Sequence, residues 1–423
     1  MVPEQREVDL FISGAGELAT PRGAAARGGA DLGAILVLEG GAMAVDGGRI
    51  VAVGPEAELR GSWRGRRELC AAGGTLIPGF VDAHTHPVFA GTREEEFESR
   101  VAGASYLEIA AAGGGIASSV KGVRGASAEE LLVALLLRLD RFLELGTTTV
   151  EAKTGYGLSP EDEMKCLEVI AAADAAHAVD LVPTFLGAHD FPLEYRDSQA
   201  DRERYVDLLV EEMIPAVAAS GLARYCDIFT EAHVFDLDQT RRILGRARDL
   251  GLGLRLHVDQ LTPLGGAELA AELGAASADH LEHISADGIS ALGEAGVVPV
   301  LCPLVPLYLG QDQEAPGRAL VNAGLAPALA TDFNPGSCYT QSMGEVLTWS
   351  ALRFGFSAAE ALTAATLNAA CSLDLSKRVG SLEVGKVADV LVLDLPGHRH
   401  LTYEFGRNPV RAVVKAGELV HER

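Results

Sequence analysis

Apolar and polar residues follow two different patterns along this chain. In its middle part, short apolar runs alternate with longer amphipathic stretches, which is typical of successive βα units. The apolar runs predict eight strands, at residues 76–81, 147–151, 181–186, 225–229, 253–256, 278–281, 297–301 and 326–330. The amphipathic stretches predict helices at residues 128–145, 160–177, 202–219, 237–250 and 358–371, with Asp236 and Ser357 as N-caps.

Eight βα units in series predict an α/β protein whose main domain is a (β/α)8 TIM-like barrel. The strands of such a barrel are buried and should be largely apolar, as most of these runs are. The alternative is a doubly wound open sheet. That fold usually has a Gly-rich turn after its first strand, whereas histidines follow the first strand here.

Both ends of the chain show short β patterns instead. Strands are predicted at residues 8–12, 34–38, 42–45 and 49–53, and again at 390–393, 410–415 and 418–420. The simplest arrangement is one small β-sandwich domain built from both termini, residues 1–77 and 376–423, with the barrel of residues 78–375 inserted between them. Two unrelated small domains are the alternative.

Composition narrows the class of protein. The chain has 423 residues, of which 48% are hydrophobic, enough for a large core. Its net charge of −24 argues against a nucleic-acid or anionic-membrane partner, and an anionic substrate would need a positive pocket of its own. Six dispersed cysteines without a C-x-x-C pair, no signal peptide and no apolar run of ~18 residues predict a cytoplasmic protein.

Metal-competent side chains stand at the carboxyl ends of several predicted barrel strands. His84 and His86 end the first strand, His257 ends the fifth, and Asp332 follows the eighth. Alone, an H-x-H pair is weak evidence and an Asp at a strand end is often a helix cap. Catalytic groups of a barrel come from such strand ends, however, so the combination predicts a metal site. His280, at the sixth strand, would orient water or stabilise an oxyanion.

The donor set determines the chemistry that the site can support. Three neutral imidazoles and one carboxylate suit Zn²⁺ or Fe²⁺ and leave a coordination position for water. The ion would activate that water and polarise the bond under attack, which makes the protein a hydrolase. The remaining histidines lack this context and are predicted to be structural or exposed: His177, His233, His283, His398, His400 and His421.

Several long motifs in the same order resemble the amidohydrolase superfamily and, within it, the imidazolonepropionase family. The resemblance covers almost the whole chain. Its general motifs are PGFVDAHTH (78–86) and VGSLEVGKVADVLVLD (379–394). Its more specific motifs are FAGTREEEF (89–97), GASYLEIAAAGGGI (103–116), EAKTGYGL (151–158), TFLGAH (184–189) and TDFNPGS (331–337).

The resemblance implies hydrolysis of 4-imidazolone-5-propanoate to N-formimidoyl-L-glutamate in histidine degradation. It implies one zinc or iron ion on the four metal ligands above, with His280 as a further catalytic histidine and Gln260 in contact with the ring. Residues matching the family's substrate-binding positions are Arg93, Tyr156, His189, Asn334, Gly336 and Ser337. A small anionic substrate and a homodimer are therefore expected.

The chain departs from the family pattern at some positions. The segment from Cys302 to Pro306 lacks a Pro-Gly-aromatic pattern, and Asp190 places an extra acid beside His189. Some relatives hold two metals through a bridging lysine carbamate or acid, for which Lys153 and Glu231 are the candidates. The bridging lysine belongs to the fourth strand, whereas Lys153 ends the second. Glu231 does follow the fourth strand, but the family that the chain resembles uses one metal. We therefore expect one metal.

Three alternatives remain at this point. Arg93 is a planar fork suited to a carboxylate, but it could instead pair with one of the adjacent glutamates, residues 94–96. A related deaminase or deiminase acting on an imidazole or formimino compound would use the same metal site. A catalytically inactive barrel used as a scaffold would be marked by the loss of one or more metal ligands, whereas all four are present in this chain.

Overall fold

The computed structural model describes residues 5–103 and 114–423. Its strands, numbered along the chain, are β1 (Arg6–Ser13), β2 (Glu17–Thr20), β3 (Leu36–Glu39), β4 (Gly41–Asp46), β5 (Arg49–Pro55), β6 (Trp63–Cys70), β7 (Thr75–Pro78), β8 (Phe80–Thr85), β9 (Thr147–Lys153), β10 (Asp180–Ala188), β11 (Tyr225–Thr230), β12 (Gly253–Val258), β13 (Ser277–His280), β14 (Val298–Leu301), β15 (Ala328–Leu329), β16 (Val390–Leu393), β17 (Val410–Lys415) and β18 (Glu418–Glu422).

The middle of the chain forms the predicted barrel. Strands β8 to β15 lie side by side in chain order, and each consecutive pair is parallel. The barrel closes at its carboxyl end, where Asp332 N donates to His84 O (3.0 Å) and His86 N donates to Phe333 O (2.8 Å). The (β/α)8 expectation is confirmed, and the doubly wound alternative is excluded.

The two termini together form the second unit. One sheet has the order β5-β4-β1-β6, and the other has the order β18-β17-β16-β7-β2-β3. Buried side chains from both sheets, including Ile12, Met43, Leu76, Val392 and Val414, belong to one apolar cluster. Strands from both ends of the chain therefore share one core, as expected, while the exact domain boundaries stay a prediction.

The predicted strand at residues 76–81 is wrong as a single element. It is divided at Gly79 into β7, which pairs with β16 in the terminal sheet, and β8, which begins the barrel. Gly79 packs so tightly on Thr148 that an added Cβ would overlap that side chain. Both strands are buried along their whole length, so the apolar run gave no sign of the change of sheet.

Helices follow most barrel strands, and one short helix, Glu56–Leu59, lies in the terminal unit. The others are Glu94–Val101, Ile116–Gly125, Ala128–Glu144, Pro160–Ala176, Gln199–Leu208, Ile214–Ser220, Leu237–Asp249, Gly266–Leu273, Ala286–Ala295, Leu304–Leu309, Gly317–Asn322, Met343–Phe354, Ala358–Thr363 and Ala369–Ser372. The expected N-caps Asp236 and Ser357 both form capping boxes. Two predicted helices contain π-helical turns, at Leu209–Met213 and Ala364–Asn368.

Two further expectations concern the cysteines and the membrane. All six cysteines are free thiols, so no disulfide framework holds this fold together. Among the described residues, no helix has both the length and the apolar character needed to span a membrane.

The tight contact at Gly79 leads to a stability prediction. Replacing Gly79 with Ala should lower the free energy of unfolding by about 1 to 3 kcal/mol, since the new methyl group must displace the buried Thr148 side chain. Denaturant titration measures the loss. Gly125→Ala is the matched control, because an added Cβ there meets no atom within 4 Å. Equal stability of the two variants would contradict the packing argument.

Candidate metal centre and active site

The carboxyl ends of the barrel strands bring the predicted metal ligands together. Strand β8 contains His84 and leads into His86, β12 contains His257, and Asp332 follows β15. All four side chains are buried. Since parallel strands of a barrel end at one face, residues that are far apart in the sequence meet at this opening.

Four donor atoms converge on one point. His86 Nε2 lies 3.3 Å from His84 Nε2 and 3.3 Å from His257 Nε2. Asp332 Oδ1 lies 3.5 Å from His84 Nε2 and 3.3 Å from His86 Nε2. Two overlapping groups have ligand atoms that all lie within 4.8 Å of one another: His84, His86 and His257, and His84, His280 and Asp332. Imidazole nitrogens and a carboxylate oxygen in such groups could hold a metal.

The hydrogen bonds of the imidazoles fit a cation at that point. Asp279 Oδ2 lies 2.6 Å from His84 Nδ1, and Asp227 Oδ1 lies 3.2 Å from His257 Nδ1. With Nδ1–H donated to these carboxylates, each Nε2 presents a lone pair to the centre. Burial holds the pKa of His84 well below its usual value and lowers that of His257 to about 3, so both rings are neutral.

Buried charges also fit a bound cation. The acids behind the ligands are Glu151, Asp227 and Asp279, and they contact the cations Lys153 and Arg255. Asp332 adds a buried carboxylate beside the ligand imidazoles. Its Oδ1 is buried without a hydrogen-bond partner. A bound cation would satisfy this oxygen.

Strained backbone occurs at the same face. Positive φ angles occur at Asp259 (50°), His280 (79°), Leu281 (71°) and Asp332 (51°), none of which is a glycine. Such conformations cost about 1 to 3 kcal/mol each and cluster at functional sites, where the surrounding structure enforces them.

His280 lies beside the four ligands. Its ring centroid is 5.1 Å from that of His84 and 5.3 Å from that of His257. Burial opposes its charged form, but Glu282, whose Oε1 lies 3.7 Å from His280 Nδ1, and Asp332 raise its pKa to about 9. A nearby metal cation would lower the pKa again, because like charges repel.

Tyr156 and His189 stack around the same opening. The ring centroid of His189 lies 5.0 Å from that of His86 and 5.2 Å from that of Tyr156. His189 Nδ1 lies 2.9 Å from Gly155 O, so the ring donates there and presents Nε2 to the pocket.

A residue that the sequence did not indicate, Glu163, shapes the Tyr156 turn. Its buried carboxylate accepts hydrogen bonds from the backbone N–H groups of Gly155 (3.1 Å), Gly157 (2.7 Å) and Leu158 (2.9 Å). The only sequence signal was an acid in the first turn of a predicted helix, which is also common at exposed helix starts.

Arg93 forms an ion pair with a glutamate of the adjacent helix, which is the alternative to substrate binding that the sequence left open. Its Nε and Nη2 lie 2.9 and 2.6 Å from Glu96 Oε2. The guanidinium also presses against Gly336, where any Cβ would overlap it. Arg93 therefore lies against the loop that follows β15, next to the metal centre, while paired with an acid of its own helix.

The loop after β15 is stabilised from within. Asn334 Oδ1 accepts from Gly336 N (2.8 Å) and Ser337 N (2.7 Å), and its Nδ2 donates to Asp332 O (2.7 Å). Ser337 Oγ lies 3.4 Å from Asp332 Oδ2. The Asn334 side chain thus fixes the backbone beside Asp332.

The two candidates for a second metal have other partners. Lys153 Nζ lies between Glu151 Oε1 (2.8 Å) and Asp227 Oδ2 (2.7 Å). Glu231 accepts from Leu261 N (2.7 Å) and from Thr262 Oγ1 (2.6 Å), which stabilises the loop after Gln260. One metal stays our expectation.

The departures from the family pattern also have a structural place. Asp190 Oδ2 lies 2.5 Å from Arg196 Nη2, so its charge is paired outside the metal centre. The segment from Cys302 to Pro306 enters the short helix Leu304–Leu309 and is buried. Within the motif at 103–116, residues 104–113 lie outside the described part of the chain.

Histidines expected to be structural or exposed lie elsewhere. His177 contacts Asp140, His398 contacts Glu17, and His400 contacts Glu404, at 3.2, 2.8 and 3.3 Å. Within the described part of the chain, none of these six belongs to a group of side chains that could hold a metal.

Comparison with known proteins identifies the family. The amidohydrolase family matches residues 75–420, and an imidazolonepropionase-like composite domain of bacteria matches residues 41–63. The chain is 51% identical to the imidazolonepropionase of Symbiobacterium thermophilum, over 98% of both chains. It is 50% identical to that of Solibacter usitatus, over 92% of this chain and 93% of the relative.

A solved structure supports the same fold. A zinc-bound adenosine deaminase from Xanthomonas campestris superposes with a TM-score of 0.75 at 24% identity, over 98% of this chain and 93% of the deaminase. At that identity the likeness concerns the fold alone. From the full-length relatives and the family match, the chain belongs to the amidohydrolase family and, within it, to the imidazolonepropionases.

Proposed function

We propose that this chain hydrolyses 4-imidazolone-5-propanoate to N-formimidoyl-L-glutamate with one divalent metal held by His84, His86, His257 and Asp332. The chain is a hydrolase of cyclic-amide carbon–nitrogen bonds, as its family membership indicates. The observation that supports these four ligands is the convergence of three Nε2 atoms and Asp332 Oδ1 on one buried point.

The donor set suits Zn²⁺ or Fe²⁺, and these are the metals we propose. When bound, the ion supplies Lewis acidity and lowers the pKa of a coordinated water toward ~7. The protein's own contribution is to keep the imidazoles neutral and oriented through Asp227 and Asp279.

Asp332 is the proposed proton carrier. Its Oδ1 faces the ligand point, while Oδ2 lies 3.4 Å from Ser337 Oγ. Burial raises the pKa of this carboxyl group, which makes it a better base. It would take a proton from the attacking water and deliver it to the ring nitrogen as the carbon–nitrogen bond breaks.

His280 would stabilise the negative charge that develops on the carbonyl oxygen. Its ring is buried, with its centroid 5.1 Å from that of His84 and 5.3 Å from that of His257. An imidazole N–H at this position would donate a hydrogen bond to the oxyanion. Gln260 lies two residues after β12, the strand that contains His257, and its side chain is buried. This position suits the proposed contact with the imidazolone ring.

Arg93, Tyr156 and His189 are proposed to bind the propanoate carboxylate. Arg93 lies against the loop of Asn334, Gly336 and Ser337, which would contact substrate or product. Its ion pair with Glu96, in which the guanidinium donates to a carboxylate, supports this role. The substrate carboxylate would share or replace that contact.

A homodimer and a cytoplasmic location remain parts of the proposal. The first is suggested by the family resemblance, and the second by six dispersed free cysteines. Light scattering of the purified protein would measure the first.

The activity itself is tested with freshly prepared imidazolone propanoate and metal-loaded protein. We expect formimidoyl-glutamate as the product, with no release of ammonia, because the scissile bond lies within the ring. Product analysis by mass spectrometry and an ammonia assay measure both outcomes. If ammonia is the main product, the deaminase alternative replaces this proposal.

The ligand assignment is tested with Asp332→Ala. This variant should lose turnover by at least about 100-fold, since it removes a general acid–base group, and it should also retain less metal. Steady-state kinetics and elemental analysis measure the two effects. Asp140→Ala removes an exposed carboxylate far from the ligands and serves as the control. Full activity with full metal content in Asp332→Ala would reject the assignment.

The carboxylate site is tested with Arg93→Met. KM should rise far more for the carboxylate substrate than for its amide analogue, because only the former pairs with the guanidinium. Arg204→Met, which removes an exposed arginine paired with Asp201, is the matched control. An equal rise in KM for both compounds would exclude Arg93 from carboxylate binding.

A further inference from the structure

A buried ionic cluster lies behind the metal ligands. It contains Glu151, Lys153, Asp227, Arg255 and Asp279, and none of these side chains has exposed surface. Lys153 is at its centre, with Nζ 2.8 Å from Glu151 Oε1, 2.7 Å from Asp227 Oδ2 and 3.8 Å from Asp279 Oδ2. A lysine is rarely buried completely, so its position requires an explanation.

Two of these carboxylates also bind the metal-ligand histidines. Asp227 contacts His257 Nδ1 at 3.1 Å through Oδ2 and at 3.2 Å through Oδ1. Asp279 contacts His84 Nδ1 at 2.6 Å through Oδ2, the same oxygen that faces Lys153. Lys153 is therefore separated by a single side chain from two ligands that stand on different strands, β8 and β12.

A role confined to neutralising Glu151 does not account for this arrangement. Buried ion pairs are often no more stabilising than apolar residues of similar volume, so stability alone gives weak reason for burying Lys153. The ammonium is also as close to Asp227 as to Glu151. A carbamate on Lys153, the modification that bridges two metals in some relatives, would put a third anion between these carboxylates.

We propose that Lys153 is a positioning residue for the metal centre, which strengthens metal retention by holding Asp227 against His257. Asp227 Oδ2 contacts both the Lys153 ammonium (2.7 Å) and His257 Nδ1 (3.1 Å), so one carboxylate oxygen joins the lysine to the ligand ring. The hydrogen bond to Nδ1 fixes the tautomer and the orientation of the ligand ring. This inference rests on the proposed metal site and adds a residue that does not touch the metal.

The charge state of Lys153 agrees with this role. Burial lowers the pKa of its ammonium, but Asp227 and Glu151 outweigh burial and raise the pKa above its usual value. Lys153 therefore stays a cation beside the Asp227 carboxylate.

The chain offers a closely matched control at another site. Lys415 is also a buried lysine between two aspartates, with Nζ 2.8 Å from both Asp180 Oδ2 and Asp389 Oδ2. It belongs to β17 in the terminal sheets and has no contact with the metal ligands. Lys415→Met should therefore destabilise the fold by a similar mechanism without affecting the metal centre.

The experiment compares zinc retention in Lys153→Met and Lys415→Met with that of the wild-type protein. Each protein is loaded with Zn²⁺, and zinc release to a chromogenic chelator is followed together with the thermal unfolding midpoint. We expect zinc affinity to fall about 10- to 100-fold in Lys153→Met, as for other losses behind a metal ligand. Lys415→Met should release zinc at the wild-type rate although its midpoint falls.

The double variant Lys153→Met/Glu151→Gln removes Glu151 as a charged partner, so that only the contact with Asp227 is left to be tested. It also serves if Lys153→Met alone does not fold, because it leaves one fewer buried acid without a cation. Fast zinc release in the double variant supports the path through Asp227. Wild-type release in either Lys153 variant, or equally fast release in Lys415→Met, overturns the proposal. A wild-type protein that holds no zinc or iron would instead reject the metal site, and the inference with it.

Discussion

The requirement that buried charge be neutralised governs the interior of this barrel. Glu151, Asp227 and Asp279 are paired with Lys153 and Arg255 behind the ligand point, and Asp332 Oδ1 faces that point without a hydrogen bond. Isolated charges cost several kcal/mol each to bury, so each of these groups needs a partner. A metal at this point would therefore stabilise the fold as well as supply its chemistry, and Asp227 and Asp279, which contact two of the ligand histidines, belong to the same cluster.

Much of the barrel was predictable because its strands are buried on both faces. Continuous apolar runs located β9 to β12 and β14 to within a few residues, and the strand ends then indicated the ligands. The rule that functional groups lie at the carboxyl ends of barrel strands converts a position in the sequence into a position in space. His84, His86, His257 and Asp332 could be grouped before any distance was known.

The features that were missed depend on contacts between distant segments. The division of residues 76–81 at Gly79 depends on Thr148 and on pairing with β16, neither of which is visible in a local pattern. Strand β6 is mostly exposed and polar and has no apolar alternation. The partners of Lys153 and Glu163 could not be inferred because side-chain contacts inside a barrel depend on the stagger between strands.

The pairing of β7 with β16 joins residues that are more than 300 positions apart, next to the first barrel strand. During synthesis on the ribosome, β7 therefore has one open edge until β16 emerges, after the whole barrel sequence has been made. An open strand edge is a template for wrong pairing, and the delay lengthens its exposure. The terminal sheet therefore cannot be completed before Val390 to Leu393 have been synthesised, which makes its pairing one of the latest possible steps of folding on the ribosome.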